Sequence, residues 1–369
     1  LGYERVEKNV IIYSDGVLDI NLVEQIESLD EVVLKSNVEK NIDDVNTGTT
    51  TVDLKIIKNI PLVLGERDIF KVAASLPGIS SAGEGASGYN VRGGKTDQNL
   101  YLLDDGVIYN PTHFFGLFSA INPFTTGSFD VYKGNIPAEF GGRLSSVFDI
   151  KTKDSNTEKF SGEVAIGPVT SNIALEIPIV KDKTAVLIGG RSTYSDWILN
   201  VLDDEQLQNS SAFFYDAIVK FNTKIGEKDD LKTTIYYSKD RFSITSDSTY
   251  NYSNRLLTGR WNHHFNDKST SSVIVTNSVY KFNIDYDGVS NNDFDFGYQN
   301  SETELKIKGL YKLNPKHKIN YGISSKLYGI SPGELKPKGS ESIVIPKTIS
   351  DEQGLESAVF ISDIFKINK

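Results

Sequence analysis

Apolar and polar side chains alternate through most of residues 154–369. Tyr215, Ala217, Val219 and Phe221 fall on one face of a strand, with Asp216, Lys220 and Asn222 on the other. Leu305, Ile307, Gly309 and Tyr311 likewise oppose Glu304, Lys306 and Lys308. Ile319, Tyr321 and Ile323 oppose Lys318, Asn320, Gly322 and Ser324. A period of two puts successive side chains on opposite faces of a sheet. Roughly ten such strands of about ten residues are expected, each with one greasy and one charged face. The connections alternate in length. Short ones are expected at Val180–Lys183, Ile225–Asp229, Asn266–Lys268 and Asn314–Lys316, and longer ones near 197–210, 241–252, 286–297 and 329–353. Short turns opposed to long loops are the asymmetry of outer-membrane barrels. A soluble β-sandwich also alternates, but accounts less well for this rhythm and for a polar face rich in Lys and Glu.

Residues 54–153 have a different texture. Ile69, Val72, Ala73 and Leu76 share one helical face within Glu66–Leu76, and Pro77-Gly78 stops the helix. A glycine-rich stretch and Tyr89–Gly94 follow. Gln98–Pro111 reads as a strand, an Asp-Gly turn at Asp105-Gly106 and a short return strand. A loop with His113, Phe114, Phe115 and Phe118 leads to Phe129–Gly134, and the region closes on Ala138–Ile150.

Ahead of this lie two short strand-like runs, Val10–Tyr13 and Val17–Leu22, joined by Ser14-Asp15-Gly16. They are too little for an independent core. They read as the end of a β-sandwich over 1–34, with a polar, aperiodic linker over 35–53.

Four motifs in the middle region give these textures a common meaning. They are Val91–Gly94 (VRGG), Leu102–Val107 (LLDDGV), Tyr132–Gly134 (YKG) and Phe140–Val147 (FGGRLSSV). In this order they resemble the plug domain of TonB-dependent receptors. One departure is the doubled Asp104-Asp105 before Gly106, where the family usually has a single Asp. The resemblance implies a mainly β protein, with an α+β plug domain inside an incomplete transmembrane antiparallel β-barrel. The plug would span 54–153 and the first part of the barrel 154–369. Residues 1–34 resemble the last strands of a carboxypeptidase-regulatory-like extension domain. About 22 strands are needed to enclose a plug, so further native sequence is expected to follow.

The resemblance also implies site residues. Leu29, Asp30, Glu31, Val32, Val33 and Leu34 fall where such receptors carry the TonB box, which binds an edge strand of its partner by β-augmentation. The same strip also reads as the last strand of the extension domain. The plug motif residues are Arg92, Gly93, Gly94, Asp104, Asp105, Gly106, Gly141, Gly142 and Arg143. Their glycines permit tight turns. Arg92 and Arg143 are expected to pair with carboxylates of the barrel wall, the alternative being exposed turn arginines. His113, Phe114, Phe115 and Phe118 are candidate ligand contacts, with packing in the plug or against the wall as the alternative.

Composition excludes several other chemistries. The chain has 369 residues, no Cys and no Met, and a net charge of -10. Without Cys there is no disulfide framework and no thiol nucleophile. No basic tract suits nucleic acid. No apolar run reaches the roughly 18 residues of a membrane helix, which says nothing against a barrel. Tyr 18 and Phe 19 against Trp 2 suit strands and interfacial girdles. Gly83–Gly88 is formally G-x-G-x-x-G, but it follows a helix and precedes a strand, the reverse of a nucleotide site. His113, His263, His264 and His317 form no ligand-spaced group, so no metal or cofactor is expected. No acid–base or Ser/His/Asp arrangement emerges, and the chain reads as non-enzymatic.

The expected function is active uptake across the outer membrane of a Gram-negative bacterium. The expected partners are the TonB complex of the inner membrane, outer-membrane lipid and a small ligand of unknown identity, with a surface lipoprotein left open. Two rival readings stay open: a scaffold subunit built on the same barrel, and a soluble β-rich module that binds glycans or proteins.

Overall fold

The structure, a computed structural model, describes residues 48–52, 66–82, 88–194, 197, 210–245, 247–288 and 291–367. The expected extension domain over 1–34 and the TonB-box candidate Leu29–Leu34 lie outside these residues.

Among its described residues the plug contains one α-helix, α1 (Ile69–Ala74), and nine short strands. The strands are β1 (Thr49–Thr51), β2 (Ile79–Ser81), β3 (Tyr89–Val91), β4 (Asn99–Leu103), β5 (Gly106–Val107), β6 (Thr112–His113), β7 (Phe118–Ser119), β8 (Thr126–Tyr132) and β9 (Ser146–Thr152). Five of them form a mixed sheet in the order β1-β8-β9-β4-β5, with β4 parallel to β9. α1 packs on this sheet through Phe70, whose ring meets Tyr101, Phe129 and Phe148 at 5.7, 5.6 and 6.0 Å. Phe70, Phe129 and Phe148 are fully buried.

α1 begins later than its apolar spacing suggests. Asp68 caps it, accepting hydrogen bonds from the amides of Phe70 and Lys71 at 2.8 and 3.2 Å. Glu66 is thereby left outside the helix. β1 is a second departure: the expected linker runs to 53, yet Thr49–Thr51 pairs with Tyr132–Asp130 in the plug sheet. A β-branched triplet at a sheet edge carries no period to read.

The wall is an 11-stranded antiparallel sheet. Its strands are β10 (Ser161–Ile166), β11 (Thr170–Val180), β12 (Thr184–Thr193), β13 (Ser211–Lys224), β14 (Asp229–Thr245), β15 (Ser248–Asn266), β16 (Ser269–Tyr286), β17 (Phe294–Asn314), β18 (His317–Pro337), β19 (Lys347–Thr348) and β20 (Glu352–Phe365). Each pairs with the next as far as β18, and β18 pairs with both β19 and β20. The four short turns fall where the alternation ends. The stretches expected as long loops near 241–252 and 329–353 are instead largely strand: β14 and β15 stay paired to Thr245↔Ser248, and β18 runs to Pro337. β17 and β18 have 21 residues each, about twice what a tilted strand needs to cross a bilayer.

One face of the wall carries exposed apolar side chains, among them Ile188, Val219, Ile235, Leu257, Val275 and Leu305. The other face is polar and holds the plug. Ile218, Tyr236 and Leu256 of that inner face join the plug's own core cluster. The described residues contain no helix long and apolar enough to cross a membrane.

Candidate functional site

The functional geometry of this chain is the seam between plug and wall. It has two polar centres.

The first is buried. Arg191 on β12 donates from Nε to Asp216 Oδ2 at 2.8 Å, from Nη1 to Glu66 Oε1 at 3.2 Å and from Nη2 to the Ser119 carbonyl at 2.6 Å. Thr170 donates to the second Glu66 oxygen at 2.6 Å. Beside them His113, fully buried, sets Nδ1 2.7 Å from Asp240 Oδ2 on β14. Its Nε2 lies 3.4 Å from Asp216 Oδ2, an electrostatic contact too poorly aligned to be a hydrogen bond. The imidazole stacks on Phe214 at 4.0 Å. The centre thus holds one arginine and three carboxylates: Glu66 and Asp216 on Arg191, and Asp240 on His113. A protonated His113 reduces that excess of negative charge. Burial alone lowers the pKa of His113, but the charge of Asp240 and the two aspartates' contacts outweigh it and raise the pKa above its ordinary value.

The second centre lies toward the short-turn end of the wall. Asp104 and Asp105 have φ of 45° and 74°, and Leu103 pairs with Gly106. The two aspartates are therefore the central residues of the hairpin turn, and both take the left-handed conformation that a type I′ turn requires. Asp is among the few residues other than Gly that tolerate it. The turn sits one residue earlier than the expected Asp105-Gly106. Gly106 serves a different need: a Cβ there would overlap Leu256 Cδ1 of β15. The doubled Asp also supplies two anchors. Asp104 accepts from the Thr152 amide at 3.0 Å and from Thr234 Oγ1 of β14 at 2.6 Å. Asp105 meets Lys151 at 2.7 Å and Arg260 of β15 at 2.9 Å. Burial opposes the charge of Asp105, yet Lys151 and Arg260 hold its carboxyl well below the usual carboxylate range. Lys220 and Lys232, from adjacent wall strands, both grip Asp154 at 3.0 and 2.7 Å. These groups line a cavity of about 500 Å³ between hairpin and wall.

The two motif arginines behave otherwise than expected. Among the described residues neither Arg92 nor Arg143 forms an ion pair with the wall. Arg92, at φ 48°, lays its guanidinium over Gly134. Arg143 is half-buried, donates to the Gly142 carbonyl at 2.7 Å, and acts on the wall's Glu302 through its charge without a direct pair. Besides the His113–Asp240 pair, direct ion pairs across the seam join plug carboxylates to wall cations, among them Glu66 to Arg191, Asp105 to Arg260, and Glu139 to Lys308. Gly93 and Gly142, at φ 81° and 82°, supply left-handed turns beside these arginines. Gly94 packs on Ser145, where a side chain would overlap, and Gly141 has open space around its Cα. Of the aromatic group, Phe118 is buried against Phe214, and Phe114 is half-buried beside both rings. The side chain of Phe115 lies outside the described residues. Glu66 and Arg191 were missed in the sequence. Arg191 is an inward position of an alternating strand, and a lone arginine among Gly, Ser and Thr was the available signal.

A compact α+β unit seated on the polar inner face of an antiparallel wall, whose other face is apolar, defines a plugged β-barrel of the outer membrane. Residues 41–146 match the family model for the TonB-dependent receptor plug domain. The chain thus holds a region similar to that plug domain, seated on a wall that shares the fold of part of such a receptor's barrel. The fold is similar to that of the ferric preacinetobactin receptor BauA from Acinetobacter baumannii, at 13% identity and a TM-score of 0.60, over 85% of this chain and 54% of that one. It is similar to FpvA of Pseudomonas aeruginosa, solved with heterologous pyoverdines, at 12% identity and a TM-score of 0.65, over 88% and 50%. The siderophore receptor PirA from Acinetobacter baumannii matches at 12% identity and a TM-score of 0.64, over 90% and 56%. This chain therefore spans about half the length of the solved structures it resembles. No curated relative matches it by sequence.

Proposed function

We propose that the chain supplies the plug and the leading wall strands of a transporter that takes up a scarce ligand across the outer membrane, driven through TonB. The observation that carries this reading is the chemistry of the seam. Much of the plug–wall contact is ion pairs and hydrogen bonds, which water can replace when the plug is displaced. A purely apolar seam of that extent would expose greasy surface each time the lumen opened. Leu29–Leu34, tethered ahead of β1, is the segment that pairs with the TonB partner strand, and traction on it reaches the plug sheet through β1 at its edge.

The test is uptake by the full-length protein in its own host. Deleting residues 29–34 abolishes accumulation of the cargo and leaves surface binding intact. Collapse of the proton gradient has the same effect on the wild type. A barrel that only scaffolds an envelope assembly keeps its partners after the deletion and shows no energy-dependent accumulation before it. That pattern would overturn the transport reading.

A further inference from the structure

The two faces of the wall exchange polarity toward its long-loop end. In the middle of β14–β17 the outward positions are apolar, as at Ile235, Leu257, Val275 and Leu305. Further along the same strands the outward positions become Arg241, Asn251, Lys281, Asp285 and Asp295. Those charges put this stretch beyond the bilayer, with water on its outer side. Its inner side becomes aromatic. The register carries the plug-facing row of Tyr236 and Leu256 upward to Phe242↔Tyr250, Tyr252↔Phe282, Phe282↔Tyr298, Ile284↔Phe296 and Tyr286↔Phe294. Ring pairs link neighbouring strands: Phe282 and Tyr298 lie 5.0 Å apart, and so do Tyr286 and Phe294. Tyr280, in the same face, contacts Tyr109 of the plug at 6.4 Å, so this surface continues directly from the plug's own.

Six of these rings, on Tyr250, Phe282, Tyr286, Phe294, Phe296 and Tyr298, are only half-buried. A wall with water on both sides gains nothing from half-exposed rings on one of them, and such a patch marks a surface that something covers. Beyond the row of Asp240 and Tyr252, the inward side chains described on β14–β17 are uncharged. That complements a neutral ligand and offers nothing to an anionic one. The rings cover about 14 Å along the strands and about 10 Å across them. This is a continuous platform, larger than a slot for one planar group. Aromatic faces carry negative potential, and tyrosine adds a polar edge. The partner that matches is a chain of rings with polarised C–H faces and hydroxyl rims. Resting on the uptake reading above, we propose that the aromatic inner face of β14–β17, above the plug, is a subsite for a neutral oligosaccharide.

The test uses the purified full-length protein in detergent, with malto-, cello- and xylo-oligosaccharides as probes and an anionic ferric chelate as the comparison. Calorimetry reads binding. Amide exchange reads its place. The expected result is that at least one saccharide binds and protects residues 280–298, and that Phe282→Ala and Tyr298→Ala each weaken it by about two- to tenfold. Tyr298→Phe retains the ring and most of the affinity, and Lys281→Ala, on the outer side, leaves it unchanged. Unaltered melting temperatures show that the alanine variants are folded. Two results overturn the proposal: no saccharide binds, or saccharide binds with the alanine variants unaffected. Both are separate from failure of the transport reading, because binding is measured without TonB or a proton gradient.

Discussion

His113 of the plug and Asp240 of the wall meet at 2.7 Å in a site with no exposed surface on the imidazole. Around this pair stand Asp216 on β13, Arg191 on β12, Glu66 of the plug, and the hydroxyls of Tyr236 on β14 and Tyr252 on β15. The cluster holds more carboxylates than cations while the imidazole is neutral. Protonation of His113 therefore strengthens the seating of the plug.

The first prediction follows from the direction of that pKa. A pKa raised on docking stabilises the docked plug fully below the free value, about 6.5. The contribution is lost as pH rises through the higher docked value. Amide exchange over residues 112–121, corrected for its intrinsic pH dependence, should therefore speed up as pH climbs above about 6.5. His113→Gln should flatten that dependence. A wild-type profile already flat over this range would rule out the latch.

Arg191 supports a second prediction. Its guanidinium is fully buried and satisfies Glu66, Asp216 and the Ser119 carbonyl. Arg191→Ala leaves two buried carboxylates without their cation, a loss of about 3–5 kcal/mol. Chemical denaturation of the full-length protein should show the plug released well before the wall unfolds. Simultaneous loss of both would argue that Arg191 holds the wall strands together and does not seat the plug.

Much of the fold was legible because the wall inside the bilayer obeys one rule. Apolar positions face out, polar ones face in, and the period of two follows from Tyr215 to Ser324 without structural knowledge. The rule inverts where lipid gives way to water. Near Arg241, Lys281 and Asp295 the charges face out and the rings face in, so the upper strands read as loops. The seam was less legible for a different reason. Glu66 and Arg191 are 125 positions apart, and no local period connects them. The motif arginines drew attention because charge beside paired glycines is conspicuous. The anchoring fell instead to Asp104 and Asp105, which look like ordinary turn residues until the left-handed turn aims them at β14 and β15.

Close approach at the seam gives a third prediction. Gly106 of the plug lies against Leu256 of the wall, and Gly189 of the wall lies against Thr125 of the plug. A Cβ at either would overlap its neighbour. Gly106→Ala should lower stability by about 1–3 kcal/mol through overpacking. Leu256→Ala alone should cost about 2–5 kcal/mol, and in the double variant the total loss should be smaller than the sum of the two, because the added methyl fills part of the space vacated. Thermal denaturation of the single and double variants decides the matter, and additive losses would mean that the two residues do not compete for one volume.

The last prediction concerns the outer face of the wall, on which membrane insertion depends. Leu257 and Thr258 are neighbours on β15, the first about half exposed and the second buried against the plug side. If the outer side meets lipid, Leu257→Arg puts a charge into the hydrocarbon and should cost about 2–4 kcal/mol near the bilayer midplane. The same substitution at Trp261, four residues nearer the short turn at Asn266, should cost less, because depth falls along the strand. Leu257→Phe keeps the face apolar and should be nearly neutral. Folding equilibria of the full-length protein into vesicles give all three values. Equal penalties at Leu257 and Trp261 would show that depth does not grade the cost. A negligible one at Leu257 would mean that this face does not lie in lipid.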